Sequence, residues 1–125
     1  MAFTIKFDEN LEHIVLEASV EMSLESSKAM IDAEVDMLQK FPNASILYDQ
    51  TNSNADGISS EDIWKISEYS TQLGALLEGK KLAVVLQDDL SFGLGRMWKS
   101  FTEAKVSFEI QIFHDRADAE KWIVE

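Results

Sequence analysis

Two stretches of this 125-residue chain, Ser45-Ile46-Leu47-Tyr48-Asp49 and Leu82-Ala83-Val84-Val85-Leu86, are apolar without alternating with polar residues. Successive side chains of a strand point to opposite faces, so a strand with one wet face alternates and a strand covered on both faces does not. Both stretches are therefore expected as buried strands, which are usually parallel and central. Parallel neighbours require crossovers, so helices should separate them and cover the sheet.

The segments around these strands supply the rest of the pattern. Phe3, Ile5 and Phe7 alternate with polar residues, and after Asp8-Glu9-Asn10 comes the apolar run His13-Ile14-Val15-Leu16, which together predict a hairpin. Ser23 can cap a first helix whose apolar positions Met30, Ile31, Ala33, Val35, Met37, Leu38 and Phe41 recur until Pro42 stops it. After the polar loop from Gln50 to Gly57, Ser59 can cap a second helix, with Ile58 and Ile63 at the positions of a hydrophobic staple. Ile63, Ile66, Ser70, Leu73 and Leu77 continue one stripe, and Gly79 is placed to end that helix.

Beyond the second buried strand, Asp88 or Asp89 can cap a third helix with Leu94, Met97, Trp98 and Phe101 on its apolar face. Val106, Phe108, Ile110 and Ile112 alternate as a last strand, and Asp115 caps a terminal helix ending at Trp122-Ile123. The expected order is β-β-α-β-α-β-α-β-α: one α/β domain over residues 1–125, with a five-stranded, mostly parallel sheet, right-handed crossovers and about four helices.

Composition narrows the function classes. With no Cys, a disulfide framework, a thiolate zinc site and a cysteine nucleophile are excluded. The N-terminal residues alternate and turn acidic, unlike a signal peptide, and no apolar run approaches the roughly 20 residues of a membrane-spanning helix. A cytoplasmic protein is expected, with at most peripheral contact to a membrane. A net charge of -12 repels phosphate backbones, so nucleic acid is not an expected partner. The charge is uneven: residues 1–79 hold 4 basic against 15 acidic side chains, and residues 80–125 hold 7 against 8. An anionic partner is least opposed in the C-terminal portion.

Lys81-Leu82-Ala83-Val84-Val85-Leu86 followed by Phe92-Gly93-Leu94-Gly95-Arg96-Met97, together with Ile112-Phe113-His114-Asp115-Arg116-Ala117-Asp118-Ala119-Glu120-Lys121-Trp122-Ile123, carry a resemblance. In these segments and in element order the chain resembles the STAS-like (SpoIIAA-like) family of small stand-alone bacterial proteins, the anti-sigma-factor-antagonist fold. The resemblance covers essentially the whole chain, and its motifs are structural. It implies a non-enzymatic domain that binds partner proteins, with lipids or other apolar ligands suggested for some relatives. Antagonists of the family are switched by phosphorylation of a serine in an Asp-Ser-Ser/Thr-Gly motif at the start of the helix after the central strand. The matching place here reads Asp56-Gly57-Ile58-Ser59-Ser60-Glu61, with the residue types in a different order.

Each candidate site has a plainer reading beside it. Ser59 and Ser60 are candidate phosphorylation sites at a helix N-terminus, where negative charge is favoured, yet Glu61 and Asp62 would oppose a phosphate and a capping serine needs no further role. Asp49, Asp88, Asp89 and His114 should fall at the carboxyl ends of strands, where open α/β sheets bind ligands, but residues of these types are common there as caps; no metal or cofactor is assigned. No serine-elbow motif lies near His13 or His114, and no catalytic residue is assigned. Gly93-Leu94-Gly95 lacks the third glycine of a dinucleotide fingerprint and reads instead as close approach to a neighbouring backbone.

The third helix is the most informative segment. Phe92, Leu94, Met97, Trp98 and Phe101 are candidate ligand-binding residues, and Arg96, Lys99 and Lys105 a candidate anion or membrane-surface set. The same residues also describe an ordinary core-facing helix with basic groups in solvent. The expected partners are an apolar small molecule or lipid, a membrane surface touched peripherally, or a partner protein. Trp64 and Trp122 serve either the core or a self-association surface.

Overall fold

A computed structural model describes residues 3–125. β1 (Phe3–Asp8) and β2 (His13–Ala18) pair antiparallel from Phe3 opposite Ala18 to Asp8 opposite His13. Asp8 makes the turn: its Oδ1 accepts from the backbone N–H groups of Asn10 (2.9 Å) and Leu11 (3.0 Å). α1 (Leu24–Lys40) starts at the expected cap, where Ser23 Oγ accepts from Ser26 N and Ser26 Oγ accepts from Ser23 N, both at 3.0 Å.

β3 (Ile46–Asp49), β4 (Lys81–Val85) and β5 (Glu109–Phe113) extend the sheet in chain order β1-β2-β3-β4-β5, all parallel to β2. The intervening helices are α2 (Ser60–Tyr69) and α3 (Asp89–Glu103), and α4 (Arg116–Ile123) closes the chain. The expected five-stranded mixed sheet with four helices is the observed one.

The registers explain why the central strands are apolar throughout. Leu16, Tyr48, Val84 and Ile112 align across β2 to β5 and face the layer of α1, α2 and α3. Their neighbours Val15, Leu47, Ala83 and Val85 face the other way, onto Ala119 and Ile123 of α4. Both sides of β3 and β4 are thus dry, and each methyl-rich side chain gains about 1.5–3 kcal/mol by leaving water.

The second helix is shorter than its stripe. It ends at Tyr69 and passes through a 3₁₀ turn, Ser70–Leu73, while Gly79 (φ 75°) ends the connection to β4 instead of a helix. Three hydroxyls compete with the helical ladder: Ser67 Oγ donates to Trp64 O (2.6 Å), Ser70 Oγ to Ile66 O (2.7 Å) and Thr71 Oγ1 to Glu68 O (2.7 Å). The stripe is buried nonetheless, through Leu73 and Leu77. The last strand also starts later than its alternation suggests, because β4 begins at Lys81, opposite Glu109, and offers Val106 and Phe108 no partner.

Candidate functional site: a cavity beneath the third helix

α3 has the smallest share of fully buried residues among the four helices, Ser91 and Thr102 of its 15. Asp88 caps it, with Oδ1 accepting from Ser91 N (2.8 Å) and Oδ2 from Ser91 Oγ (2.9 Å), bonds that hold its carboxyl below the usual range. One turn on, Gly95 lets the helix lie close to the sheet: a Cβ there would come within 2.3 Å of Leu86 Cδ1. The close neighbours of Gly95 are the side chains of Leu86 and Ile112, not the backbone expected from the sequence. Gly93, by contrast, has open space where a Cβ would stand.

The buried residues of α3 are Ser91 and Thr102, whereas Phe92, Leu94, Met97, Trp98 and Phe101 are only partly buried against the core. The large side chains act as fasteners toward different neighbours. Phe92 stacks on His114, Phe101 meets the Trp64 ring edge-on at 5.1 Å between centroids, and Trp98 Nε1 donates to Ser70 Oγ at 3.2 Å.

A cavity of about 70 Å³ lies between this helix, α1, α2 and the sheet. Leu94, Gly95 and Trp98 form its α3 wall, Ile63 and Ile66 its α2 wall, and Val84 and Leu86 its floor. The structure therefore brings Leu94 and Trp98 to one cavity and leaves Phe92, Met97 and Phe101 out of its lining.

Three further polar lining residues carry no motif. Glu34, on α1, is 1% exposed and its Oε2 has no hydrogen-bond partner among the described residues. Burial pushes its carboxyl well above the ordinary range, favouring the protonated form. Gln50 is 7% exposed, with Oε1 likewise unpartnered among the described residues. The Tyr48 hydroxyl donates to the weak acceptor Met30 Sδ at 3.1 Å, and burial followed by the nearby Glu34 raises its pKa well above the usual value. One signal could have exposed Glu34: the buried face of α1 runs Ser27, Met30, Ile31, Glu34, Leu38, so a carboxyl occupies a position in the apolar stripe.

The basic set is dispersed. Arg96 is exposed, Lys99 pairs with Glu103 at 3.9 Å, and Lys105 places Nζ 3.8 Å from the Trp64 ring centroid and 3.2 Å from Ser67 Oγ. Ser59 is the N-cap of α2, its Oγ accepting from Asp62 N (3.1 Å) while Asp62 accepts from Ser59 N (3.2 Å); Ser60 is the exposed first helical residue.

At the carboxyl edge of the sheet, Asp49 is engaged by Arg116, which also holds Glu17 and Glu120. Among the described residues, no three His, Asp or Glu side chains gather as a metal site. His13 lies at the opposite end of β2, where Nδ1 accepts from Ser45 N (2.9 Å); burial lowers its pKa. Trp64 is 43% exposed, while Trp122, on α4, packs partly buried against the core between α4 and the sheet, under Lys81 Nζ.

An edge hairpin, parallel strands β2 to β5, three helices on one face and a fourth on the other define the STAS-like, SpoIIAA-like α/β fold. Among solved structures the chain is similar to an uncharacterised protein of the DUF3478 family with a SpoIIAA-like fold from Shewanella loihica PV-4, at a TM-score of 0.65. The two are 21% identical, and the likeness covers 98% of this chain and 94% of that one. No family model and no curated protein matches the chain. The likeness establishes the fold, and no helix among the described residues is long and apolar enough to cross a membrane.

Proposed function

We propose that this STAS-like domain is a non-catalytic binding module that takes an apolar small molecule or a lipid chain into the cavity beneath α3 and presents α3 to a membrane surface. The observation that carries this reading is the combination of an apolar cavity with a roof of two half-buried large side chains, Leu94 and Trp98. A helix fastened by a few aromatic contacts can lift to admit a ligand at a smaller cost than one sealed by a continuous apolar stripe. Once raised, Phe92, Met97 and Phe101 would join Leu90, already 52% exposed, on a surface suited to an acyl layer.

Native mass spectrometry of the protein from its own type of host, compared with the denatured mass, tests the ligand. A hydrophobic adduct lost on denaturation is the expected result. Co-sedimentation with liposomes tests the surface, and tryptophan fluorescence unchanged by liposomes, fatty alcohols and fatty acids would sink the proposal.

The alternative is a protein-interaction component of a signalling pathway of the antagonist type. The exposure of Ser60 at the first position of α2 favours this reading, since a phosphate there would meet free backbone N–H groups. Intact-mass analysis of the protein from cells, with and without phosphatase, should then show a species heavier by one phosphate. A single unmodified mass would remove the regulatory part.

A further inference from the structure

The polar groups of the cavity restrict what can occupy it. Glu34 and Gln50 each bring an oxygen without a hydrogen-bond partner among the described residues, and Tyr48 spends its hydroxyl on a thioether. A protonated carboxyl offers one donor and one acceptor; the amide oxygen of Gln50 adds a second acceptor. Of the three lining serines, Ser70 and Ser91 already spend their hydroxyls on Ile66 O and Asp88 Oδ2, and Ser27 of α1 adds one further buried hydroxyl. Most of the remaining wall is aliphatic, including Ile31, Ile63, Leu73 and Leu94. A wholly apolar ligand would leave Glu34 and Gln50 unpaired in a dry site, the costly arrangement for any buried polar group.

Charge excludes two kinds of head group. The lining contains no Lys, Arg or His, so a carboxylate or phosphate would enter without a counter-charge, and beside an acid. An ammonium would require Glu34 to ionise where burial opposes the charged form. A hydroxyl needs neither: it donates to Gln50 Oε1 or to the Glu34 carbonyl, and accepts from the Glu34 O–H. Water alone fits the polar side but not the aliphatic one, because the cavity of about 70 Å³ has room for about five waters that each need two or more polar partners.

We infer that the cavity binds a neutral alcohol, its apolar chain against α2 and α3 and its hydroxyl buried on Glu34 and Gln50. This rests on the binding reading above and names the chemistry of the head group. The uncharged hydroxyl distinguishes it from a fatty-acid anion.

The test is a titration of the full chain, followed by amide chemical shifts of Gly95, Ser70 and Leu86, with 1-pentanol, pentanoate and benzene as probes at one pH near 7. Saturable shifts with 1-pentanol, weaker binding of the other two, and a roughly tenfold loss of pentanol affinity in Glu34→Leu support the inference. Glu34→Gln, which keeps a neutral donor and acceptor, should bind pentanol within about threefold of the parent. Glu34→Leu replaces an unpaired buried acid with an apolar side chain, so that variant is expected to fold; should it not, Glu34→Gln still reads the chemistry. Benzene binding as tightly as pentanol, with no effect of Glu34→Leu, overturns the inference and leaves the apolar-ligand reading standing. Preferential binding of pentanoate overturns it as well, and no saturable shift with any probe overturns both.

Discussion

The ring of Phe92 lies flat on the imidazole of His114, with centroids 3.9 Å apart and planes 9° from parallel. Phe92 sits in the first turns of α3 and His114 just beyond the end of β5, so the stack ties the start of the helix to the edge strand. His114 Nδ1 lies 3.3 Å from Gln87 O, which orients the ring from behind. His114→Ala should cost about 1 kcal/mol by urea denaturation and speed amide exchange at residues 90–95 more than in β3 or β4. Uniform exchange changes across the chain would show that the stack does not govern the seating of α3.

Stability should depend on pH through two groups of opposite sign. Glu34 has a folded-state pKa raised by burial above its ordinary 4.5, so the folded state binds its proton more tightly, and stability falls as pH rises above about 4.5 toward the folded value. The slope within that window is about 1.4 kcal/mol per pH unit. His13 has its pKa lowered from 6.5 by burial, partly offset by Glu12, so its contribution is present above 6.5 and is lost as pH falls below it. Melting curves from pH 5 to 8 should flatten on the alkaline side in Glu34→Gln, and on the acid side in His13→Gln. An unchanged alkaline slope in Glu34→Gln would mean that Glu34 is not held neutral.

Arg116 joins three elements, since its guanidinium meets Glu17 of β2, Asp49 of β3 at 3.1 Å and Glu120 of α4 at 2.9 Å. The carboxylates are mostly half-exposed, which limits the value of each pair. Arg116→Ala leaves three like charges together and should cost about 1 kcal/mol at low ionic strength, less at high salt. Arg116→Lys should recover only part of the loss, because an ammonium cannot present the planar fork. A cost independent of salt would point to lost packing of the Arg116 stem instead.

The two serines at the start of α2 separate structure from regulation. Ser59 completes a capping box with Asp62, and Ser59→Ala should lower stability by about 1 kcal/mol in chemical denaturation, whereas Ser60→Ala should be close to neutral. Equal effects of the two substitutions would contradict the assignment of Ser59 as the cap.

Much of this protein is legible in local chemistry. Ser23, Ser59, Asp88 or Asp89, and Asp115 announce four helix starts because a side-chain oxygen before an amphipathic run satisfies the first free N–H groups; in the folded chain Ser23, Ser59, Asp88 and Asp115 are the caps. The unbroken apolarity of Ile46–Tyr48 and Leu82–Leu86 predicts their central, parallel place, since only strands dry on both faces can carry it. Tertiary structure decided what periodicity does not encode. The stripe from Ile63 to Leu77 is helical in spacing, but hydroxyls at 67, 70 and 71 and the path to β4 convert its second half into a 3₁₀ turn and loop. On α3, Phe92, Leu94, Met97, Trp98 and Phe101 share an apolar composition, yet packing sends them to separate neighbours and only Leu94 and Trp98 to the cavity. Glu34 lies on α1 and Gln50 directly after β3, and their meeting around one cavity is a property of the whole sheet-and-helix layer. Sequence records which groups can hydrogen-bond; the packing of distant elements determines which are left without a partner.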